Sequence, residues 1–135
     1  MNRRRDVDVF GAPTDVRAGW RGRLRHEIAD RAAAVALSVA PAPRMVLDVG
    51  CGTGYLLRVL ASRCPDALAL VGIDAASSMV TVARPSTGDA RAGSTVAVAE
   101  HLPFPDATFD LVVTTTAVEW RSRYAVIVNA VTAAA

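Results

Sequence analysis

The chain has 135 residues, of which 52% are hydrophobic and 21% charged, and its formal net charge is +2. This length and balance predict one globular domain with a buried core. All 15 basic residues are arginine, whereas a nucleic-acid surface would use lysine as well, so no nucleic-acid partner is predicted. The longest uncharged runs, residues 32–43 and 124–135, are shorter than the roughly 18 residues of a membrane span, and no membrane partner is predicted.

The N-terminus and the two cysteines bear on the cellular compartment. The basic residues 1–5 are followed by Asp6 and Asp8, where an export signal needs apolar residues. Cys51 and Cys64 are 13 residues apart with no histidine beside either, which is not the spacing of a zinc or redox site. We therefore predict a cytoplasmic location and no metal site.

Apolar periodicity predicts alternating helices and strands after an irregular segment at residues 1–18. The predicted helices are residues 19–40, 55–63 and 79–83, and the predicted strands are residues 45–49, 68–73, 95–99 and 109–114. Pro41 and Pro65 end the first two helices. Residues 124–131 fit either one more strand or a short helix. This alternation predicts a single α/β domain over residues 19–135, with a parallel sheet and right-handed crossovers.

The sequence VLDVGCGTGYL at residues 46–56 joins the first predicted strand to the second helix. Gly50, Gly52 and Gly54 remove side chains where the strand turns into the helix. Glycine at these positions lets backbone N–H groups approach a ligand that lies across the strand end. The segment therefore predicts a site for a nucleotide-type cofactor.

Asp74 lies 20 residues after Gly54, at the end of the next predicted strand. A carboxylate there can accept hydrogen bonds from both ribose hydroxyls of a nucleoside. The alternative is a cap at the N-terminus of the following helix. Ligands of parallel sheets bind beyond the carboxyl ends of the strands. We therefore expect the glycine loop, Asp74 and residues 99–102 to meet in one crevice.

The spacing of the glycines bears on which cofactor is bound. The dinucleotide fingerprint G-x-G-x-x-G requires a glycine where this chain has Tyr55. A phosphate-binding P-loop is excluded because the chain has no lysine. The loop here reads G-x-G-x-G, with Asp48 before it. An NAD-linked oxidoreductase is therefore a disfavoured alternative.

Three segments resemble the class I S-adenosyl-methionine-dependent methyltransferases. Residues 46–56 look like the first motif of that family, and residues 71–79 resemble the second. Residues 99–112, AEHLPFPDATFDLV, are similar to the third and fourth, especially in the ubiquinone- and menaquinone-pathway subgroup. The resemblance implies a Rossmann-like parallel sheet with flanking helices and strand order 3-2-1-4. It also implies methyl transfer from S-adenosyl-methionine to a small-molecule acceptor.

The resemblance implies a role for each motif residue. The implied cofactor-binding residues are Asp48, Gly50, Cys51, Gly52, Gly54, Asp74, Ala75, Ala99, Glu100, Leu102 and Thr115. By this likeness, Asp48 anchors the methionine part of the cofactor and Asp74 holds the ribose. Backbone groups of Ala99 and Glu100 meet the adenine edge, with Leu102 as an apolar wall.

Methyl transfer from a sulfonium requires positioning more than acid–base chemistry. An acceptor atom held in line about 3–3.5 Å from the methyl carbon supplies most of the catalysis, and a base is required only if the acceptor must lose a proton. By resemblance, Thr115 and Thr116 face the methyl group and the acceptor. His101 and Glu119 are the candidate bases, with a purely structural role as the alternative for His101.

The chain is short for the family it resembles, whose sheet has seven strands in the order 3-2-1-4-5-7-6. After four predicted strands, about twenty residues follow, so the C-terminal strands of the family are predicted to be missing. If nothing covers it, the strand at residues 109–114 is then an exposed edge, through which two copies can pair as a homodimer. The alternative function is therefore a truncated, non-catalytic fragment that binds the cofactor or dimerises.

Overall fold

The computed structural model describes residues 20–86, 88–115 and 127–129. In chain order, the elements within these ranges are α1 (Trp20–Val39), β1 (Met45–Val49), α2 (Tyr55–Arg63), β2 (Ala69–Asp74), α3 (Ser77–Ser86), β3 (Ala92–Val96), β4 (Leu111–Thr114) and β5 (Ile127–Asn129). The segment at residues 1–18, predicted to be irregular, lies outside them. No helix of the described ranges is both long and apolar enough to cross a membrane.

The strands form one sheet with the order β3-β2-β1-β4-β5. β1 is parallel to both of its neighbours, with Val46 in register with Leu70 of β2 and Leu111 of β4. β3 is parallel to β2. The predicted Rossmann-like parallel sheet with the order 3-2-1-4 is therefore confirmed.

The far edge of β4 is covered by β5, which pairs with it antiparallel. Val112, Val113 and Thr114 are in register with residues 129, 128 and 127, respectively. The segment 124–131, left open between strand and helix, thus contains a short strand. The prediction that β4 is an exposed edge is wrong, because β5 occupies its hydrogen-bonding groups. The predicted homodimer required a free β4 edge, so the structure does not support pairing of two copies through β4.

The helices α1 and α2 pack on one face of the sheet. Val46 of β1 belongs to the larger hydrophobic cluster. To that cluster, α1 contributes Ala29, Ala32, Ala33 and Ala36, and α2 contributes Tyr55, Leu56, Leu57, Leu60 and Ala61. Small side chains on α1 let the two helices approach closely. Because side chains alternate along a strand, Asp48 lies on the same face as Val46, beneath the helices.

The opposite face carries a smaller cluster built around Leu47, Ile73 and Phe109. Phe104 packs edge-on against Phe109, with ring centroids 4.9 Å apart. The segment between β3 and β4 therefore covers this face with aromatic side chains. Both faces bury apolar residues of β1, as the continuous apolar run at residues 45–49 predicts.

Some boundaries differ from prediction. β3 occupies residues 92–96 rather than 95–99, because parallel pairing with β2 places weak strand formers such as Gly93 and Ser94 in the sheet. α3 begins at Ser77 and includes Pro85. Pro85 lies in the last turn, so the helix bond it cannot donate and the crowding of the carbonyl four residues earlier affect only the end of α3. β4 begins at Leu111, two residues after the predicted start.

Two polar side chains hold the scaffold beneath the site. The carboxylate of Asp110 accepts hydrogen bonds from the N–H groups of Arg44 and Met45, at 2.8 and 2.9 Å, and so fixes the start of β1. The guanidinium of Arg91 donates to the carbonyls of Ala61 and Cys64 at the end of α2, at 2.9 and 2.7 Å. A cation at this position complements the unpaired carbonyls and the negative end of the helix dipole.

Candidate cofactor site

The glycine loop between β1 and α2 has three residues in the left-handed backbone region. The φ angles of Gly50, Gly52 and Gly54 are 74°, 56° and 87°, which side chains other than glycine rarely adopt. A Cβ atom added at Gly52 meets no protein atom within 4 Å. The loop therefore has open space over Gly52, and its conformation rather than crowding by the protein requires glycine there.

Several N–H groups of the loop are hydrogen-bonded within the protein. Those of Gly50 and Cys51 both donate to the carbonyl of Ile73 on β2, at 2.8 and 2.9 Å, and that of Gly54 donates to the carbonyl of Cys51 at 3.0 Å. This differs from the expectation that the glycines free these N–H groups for a ligand. The loop is instead tied to the end of β2, and what it offers a ligand is the open space over Gly52.

Asp74 connects the loop to the turn before α3. One carboxylate oxygen accepts the N–H of Gly52 and the other accepts the N–H of Ala76, both at 2.9 Å. Because α3 begins at Ser77, the bond to Ala76 closes the preceding turn rather than capping the helix. Each oxygen retains a lone pair, so this half-buried carboxylate can still accept two hydroxyl groups. Ala75 is exposed beside it.

Asp48 is buried at the end of β1, with 1% of its surface exposed. Its Oδ1 has no hydrogen-bond partner among the residues that the structure describes. Burial, and to a smaller extent the charge of Asp74, raises the pKa of Asp48 to about 8. A buried carboxyl oxygen without a partner is costly, and no described residue offsets this cost. This carboxyl group suits a ligand that carries a positive charge or a hydrogen-bond donor.

The loop packs tightly onto β2 through Cys51. A Cβ atom at Gly72 would lie 2.7 Å from Cβ and Sγ of Cys51 and from Cδ1 of Leu57. Cys51 therefore fills the space that a side chain at position 72 would occupy. A glycine inside an apolar strand is the sequence signal for such a close approach. Burial and the two nearby carboxylates raise the pKa of the Cys51 thiol, so the thiol is neutral and a poor nucleophile.

The turn at residues 98–101 carries three predicted site residues, namely Ala99, Glu100 and His101. It is closed by a hydrogen bond of 3.1 Å from the N–H of His101 to the carbonyl of Val98. The N–H of Ala97 donates to the carbonyl of Asp74 at 3.1 Å, which holds the segment at the end of β2. Leu102 follows with 46% of its surface exposed. The structure thus places this exposed turn at the same sheet edge as Asp74.

The end of β4 contributes two threonines. Thr114 is buried, and its Oγ1 has no hydrogen-bond partner within the described part of the chain. It is in register with Val49 and therefore lies on the opposite face from Asp48. Thr115 follows, half-buried. The sequence analysis did not predict Thr114 as a site residue, although a hydroxyl group at the end of an apolar strand could have indicated it. The predicted site residues Thr116 and Glu119 lie outside the described residues.

The N-terminal half of α1 also reaches the glycine loop. The ring of His26 packs edge-on against Tyr55, with centroids 4.5 Å apart, and the guanidinium of Arg58 lies 4.5 Å from the Tyr55 ring centroid on the same helix as Tyr55. Arg58 also donates to the carbonyl of Thr53 at 3.2 Å. No sequence signal connects His26 to the loop. Within residues 20–86, 88–115 and 127–129, no group of three side chains is arranged to hold a metal ion.

Comparison with known families identifies the class of protein. Residues 46–134 match the family described as "Methyltransferase domain". This range includes the glycine loop, Asp74 and the end of β4. The chain belongs to this family, and the prediction of a class I methyltransferase domain is confirmed.

Three similar curated proteins are named as methyltransferases, each with a different acceptor in its name. The malonyl-[acyl-carrier protein] O-methyltransferase of Geobacter sulfurreducens is 46% identical over 79 residues, which are 58% of this chain and 29% of that protein. The demethylmenaquinone methyltransferase of Roseiflexus sp. is 40% identical over 84 residues, which are 62% of this chain and 35% of that protein. The trans-aconitate 2-methyltransferase of Mycolicibacterium gilvum is 36% identical over 103 residues, which are 76% of this chain and 36% of that protein. The chain spans about a third of these relatives.

Solved structures share the fold. A methyltransferase of Haloferax volcanii, in complex with the Trm112 activator, superposes with a TM-score of 0.67 and 30% identity, over 83% of this chain and 47% of that one. The [4+2]-cyclase SpnF superposes with a TM-score of 0.57 and 27% identity, over 74% of this chain and 36% of that one. A cyclase among these neighbours shows that the fold alone does not define the reaction.

Proposed function

We propose that this chain is the cofactor-binding part of an S-adenosyl-methionine-dependent methyltransferase that acts on a small-molecule acceptor. The observation that carries the proposal is Asp48, a buried carboxyl group with an unpartnered oxygen beside an open glycine loop. The cofactor brings a sulfonium and an ammonium group to such a position. Family membership supports the same cofactor.

The residues around the crevice suit the parts of this cofactor. The methionine part would lie along the loop over Gly52, with Asp48 as the acceptor for its cationic groups. The carboxylate of Asp74 has lone pairs left for two ribose hydroxyls. The exposed turn at residues 98–101 and Leu102 offer backbone groups and an apolar surface for adenine. S-adenosyl-methionine, when bound, supplies the activated methyl group.

The acceptor side is proposed at the carboxyl end of β4. Thr114 and Thr115 lie there. The Thr114 hydroxyl, which has no partner among the described residues, suits the orientation of a polar acceptor. The protein's contribution would be to hold the acceptor atom in line with the methyl group. His101 and Glu119 remain the candidate bases for an acceptor that must lose a proton.

A second candidate is a domain that binds the cofactor without transferring its methyl group. The specific observation in its favour is the [4+2]-cyclase SpnF, a neighbour with the same fold whose name gives a reaction other than methyl transfer. Methyl transfer separates the two candidates. Malonyl-acyl carrier protein, demethylmenaquinone and trans-aconitate, which appear in the relatives' names, are the first acceptors to assay with labelled cofactor.

We also propose a cytoplasmic location and a small molecule, rather than a nucleic acid, as the partner. Cys51 and Cys64 are both buried free thiols, which is the usual state in a reducing compartment. Retention in the soluble fraction of a cell lysate, without periplasmic or membrane material, is the expected result.

Calorimetric titration of the whole chain tests the cofactor directly. We expect saturable one-to-one binding of S-adenosyl-methionine and S-adenosyl-homocysteine, and none of NAD. Binding of NAD alone would overturn the proposal in favour of an oxidoreductase. Absence of saturable binding for all three ligands would overturn it as well.

A further inference from the structure

Asp48 and Asp74 lie on the same face of the sheet, at the ends of neighbouring strands. Asp48 is in register with Gly72, and Asp74 follows Gly72 by two residues, so the two side chains project to the same side. That side is covered by α2 and the glycine loop, and Asp48 is almost completely shielded from water. A negative charge on Asp74 therefore adds to the effect of burial in disfavouring a negative charge on Asp48.

The two carboxyl groups differ in their hydrogen-bond partners. Asp74 accepts N–H groups from Gly52 and Ala76 at 2.9 Å, which stabilise negative charge on it. Asp48 has an oxygen that no described donor reaches, and it is the more buried of the two. When only one member of the pair is charged, the unpartnered and more deeply buried group is the one that takes the proton.

Other groups around Asp48 do not supply a compensating charge. Cys51, in the loop above it, carries a neutral thiol, mainly because burial raises its pKa. Val113 of β4, in register with Asp48 on the other side, is apolar. Asp74 is the one charged group that perturbs Asp48 within the described ranges, and it does so unfavourably.

Two basic side chains of the helices above this face, Arg58 and His26, make contacts with Tyr55. Arg58 of α2 lies over the ring of Tyr55 and donates to the carbonyl of Thr53. His26 of α1 packs on the edge of the same ring. Both therefore contact Tyr55, and no basic side chain of the described residues is among the groups that perturb Asp48. A cationic ligand can supply the positive charge that would balance an ionised Asp48.

We propose that the site exchanges a proton for its cationic ligand: Asp48 is a neutral carboxylic acid in the empty site and loses its proton to solvent when the methionine part of S-adenosyl-methionine binds. The inference rests on the proposed function, because it concerns the same ligand. In the exchange, the O–H bond of Asp48 breaks, the proton passes to buffer, and the resulting carboxylate pairs with the cation. No other bond changes.

The exchange makes the affinity for the cofactor depend on pH. Burial and Asp74 raise the pKa of Asp48 to about 8, so the empty site is protonated at neutral pH. Below this pKa, the affinity for S-adenosyl-methionine rises about tenfold for each pH unit, because each binding event releases one proton. 5′-Methylthioadenosine contains the nucleoside without the cationic amino-acid part, so its affinity is independent of pH in this range.

Calorimetry in buffers of different ionisation enthalpy counts the released protons. At pH 6.5, where the ligand's own α-amino group is still protonated, we expect about one proton released per S-adenosyl-methionine bound to the native chain. Asp48→Asn, which mimics the neutral acid, releases none. 5′-Methylthioadenosine releases none from either protein. The ligand's own titration affects the native and variant chains equally.

Two outcomes separate this inference from the proposed function. Binding of S-adenosyl-methionine to the native chain without proton release overturns the inference and leaves the proposed function intact. Failure of this ligand to bind at all overturns both. If Asp48→Asn does not fold, ¹³C NMR of the aspartate carboxyl groups in the native chain decides. Asp48 ionised at pH 6.5 without ligand overturns the inference, and Asp48 protonated without ligand but ionised with it supports it.

Discussion

The N–H group of Gly52 donates a hydrogen bond of 2.9 Å to the carboxylate of Asp74. This bond joins the glycine loop after β1 to the end of β2, across the edge where the crevice lies. It means that Asp74 both shapes the loop and remains available to a ligand through its other lone pairs. Substitutions at these two residues therefore affect loop structure and ligand binding together, and controls must separate the two effects.

Asp74→Ala is expected to weaken binding of S-adenosyl-methionine by roughly 1.5–3 kcal/mol, the usual loss for hydrogen bonds to a charged group. Calorimetric titration measures it. Asp66→Ala, at an exposed aspartate before β2, is the matched control and should bind normally. If Asp74→Ala lowers thermal stability while affinity stays unchanged, Asp74 serves only to hold the loop and the turn before α3.

Gly52→Val should abolish cofactor binding. The added side chain enters the open space over the loop, and the φ of 56° is unfavourable for valine. Gly93→Val is the control, because a Cβ atom at this exposed β3 position also meets nothing within 4 Å but lies away from the loop. Equal affinity of Gly52→Val and Gly93→Val for S-adenosyl-methionine would refute the placement of the ligand over the loop.

The stability of the unliganded protein should fall as pH rises from about 4 to 8. The pKa of Asp48 is raised in the folded state to about 8 from an ordinary value of 3.8. Folding therefore favours the protonated form, and its stabilisation is complete below pH 3.8 and lost as pH rises through 8. The free energy involved is on the order of 5 kcal/mol. The stability of Asp48→Asn, measured by thermal unfolding, should not show this fall with pH. The same fall in the variant would contradict the assignment of the raised pKa to Asp48.

Arg91→Ala should lower the thermal midpoint by several degrees, because the carbonyls of Ala61 and Cys64 lose their donor. Arg91→Lys should recover little, since an ammonium group cannot reproduce the planar fork of donors. Arg63→Ala is the control: its ion pair with Asp30 is exposed, and such pairs contribute little. A midpoint for Arg91→Ala equal to that of Arg63→Ala would contradict the capping role.

Parts of the fold were predictable from the sequence because local and tertiary preferences agree there. β1 and α2 have the predicted bounds, since a continuous apolar run meets a glycine loop and Pro65 follows the helix. β3 was misplaced because Ala92–Val96 begins with weak strand formers such as Gly93, and the start of the strand depends on pairing with β2. β5 was undecided because a three-residue strand leaves little periodicity to read.

For the candidate site, the sequence predicts which segments lie close together, but it does not predict the contacts between them. The topology alone brings the glycine loop, Asp74 and residues 98–101 to one edge of the sheet. Sequence does not reveal that the carbonyl of Ile73 takes two loop N–H groups, because this depends on the height of the loop over β2. The unpartnered oxygens of Asp48 and Thr114 likewise depend on packing that only the structure contains.

Mapping of backbone amide shifts by NMR during titration with S-adenosyl-methionine tests the central claim most directly. We expect saturable changes confined to the loop at residues 48–56, to Asp74 and its turn, to residues 97–102 and to the end of β4. Saturable changes centred elsewhere, or none at millimolar ligand, would contradict the assignment of this sheet edge as the cofactor site.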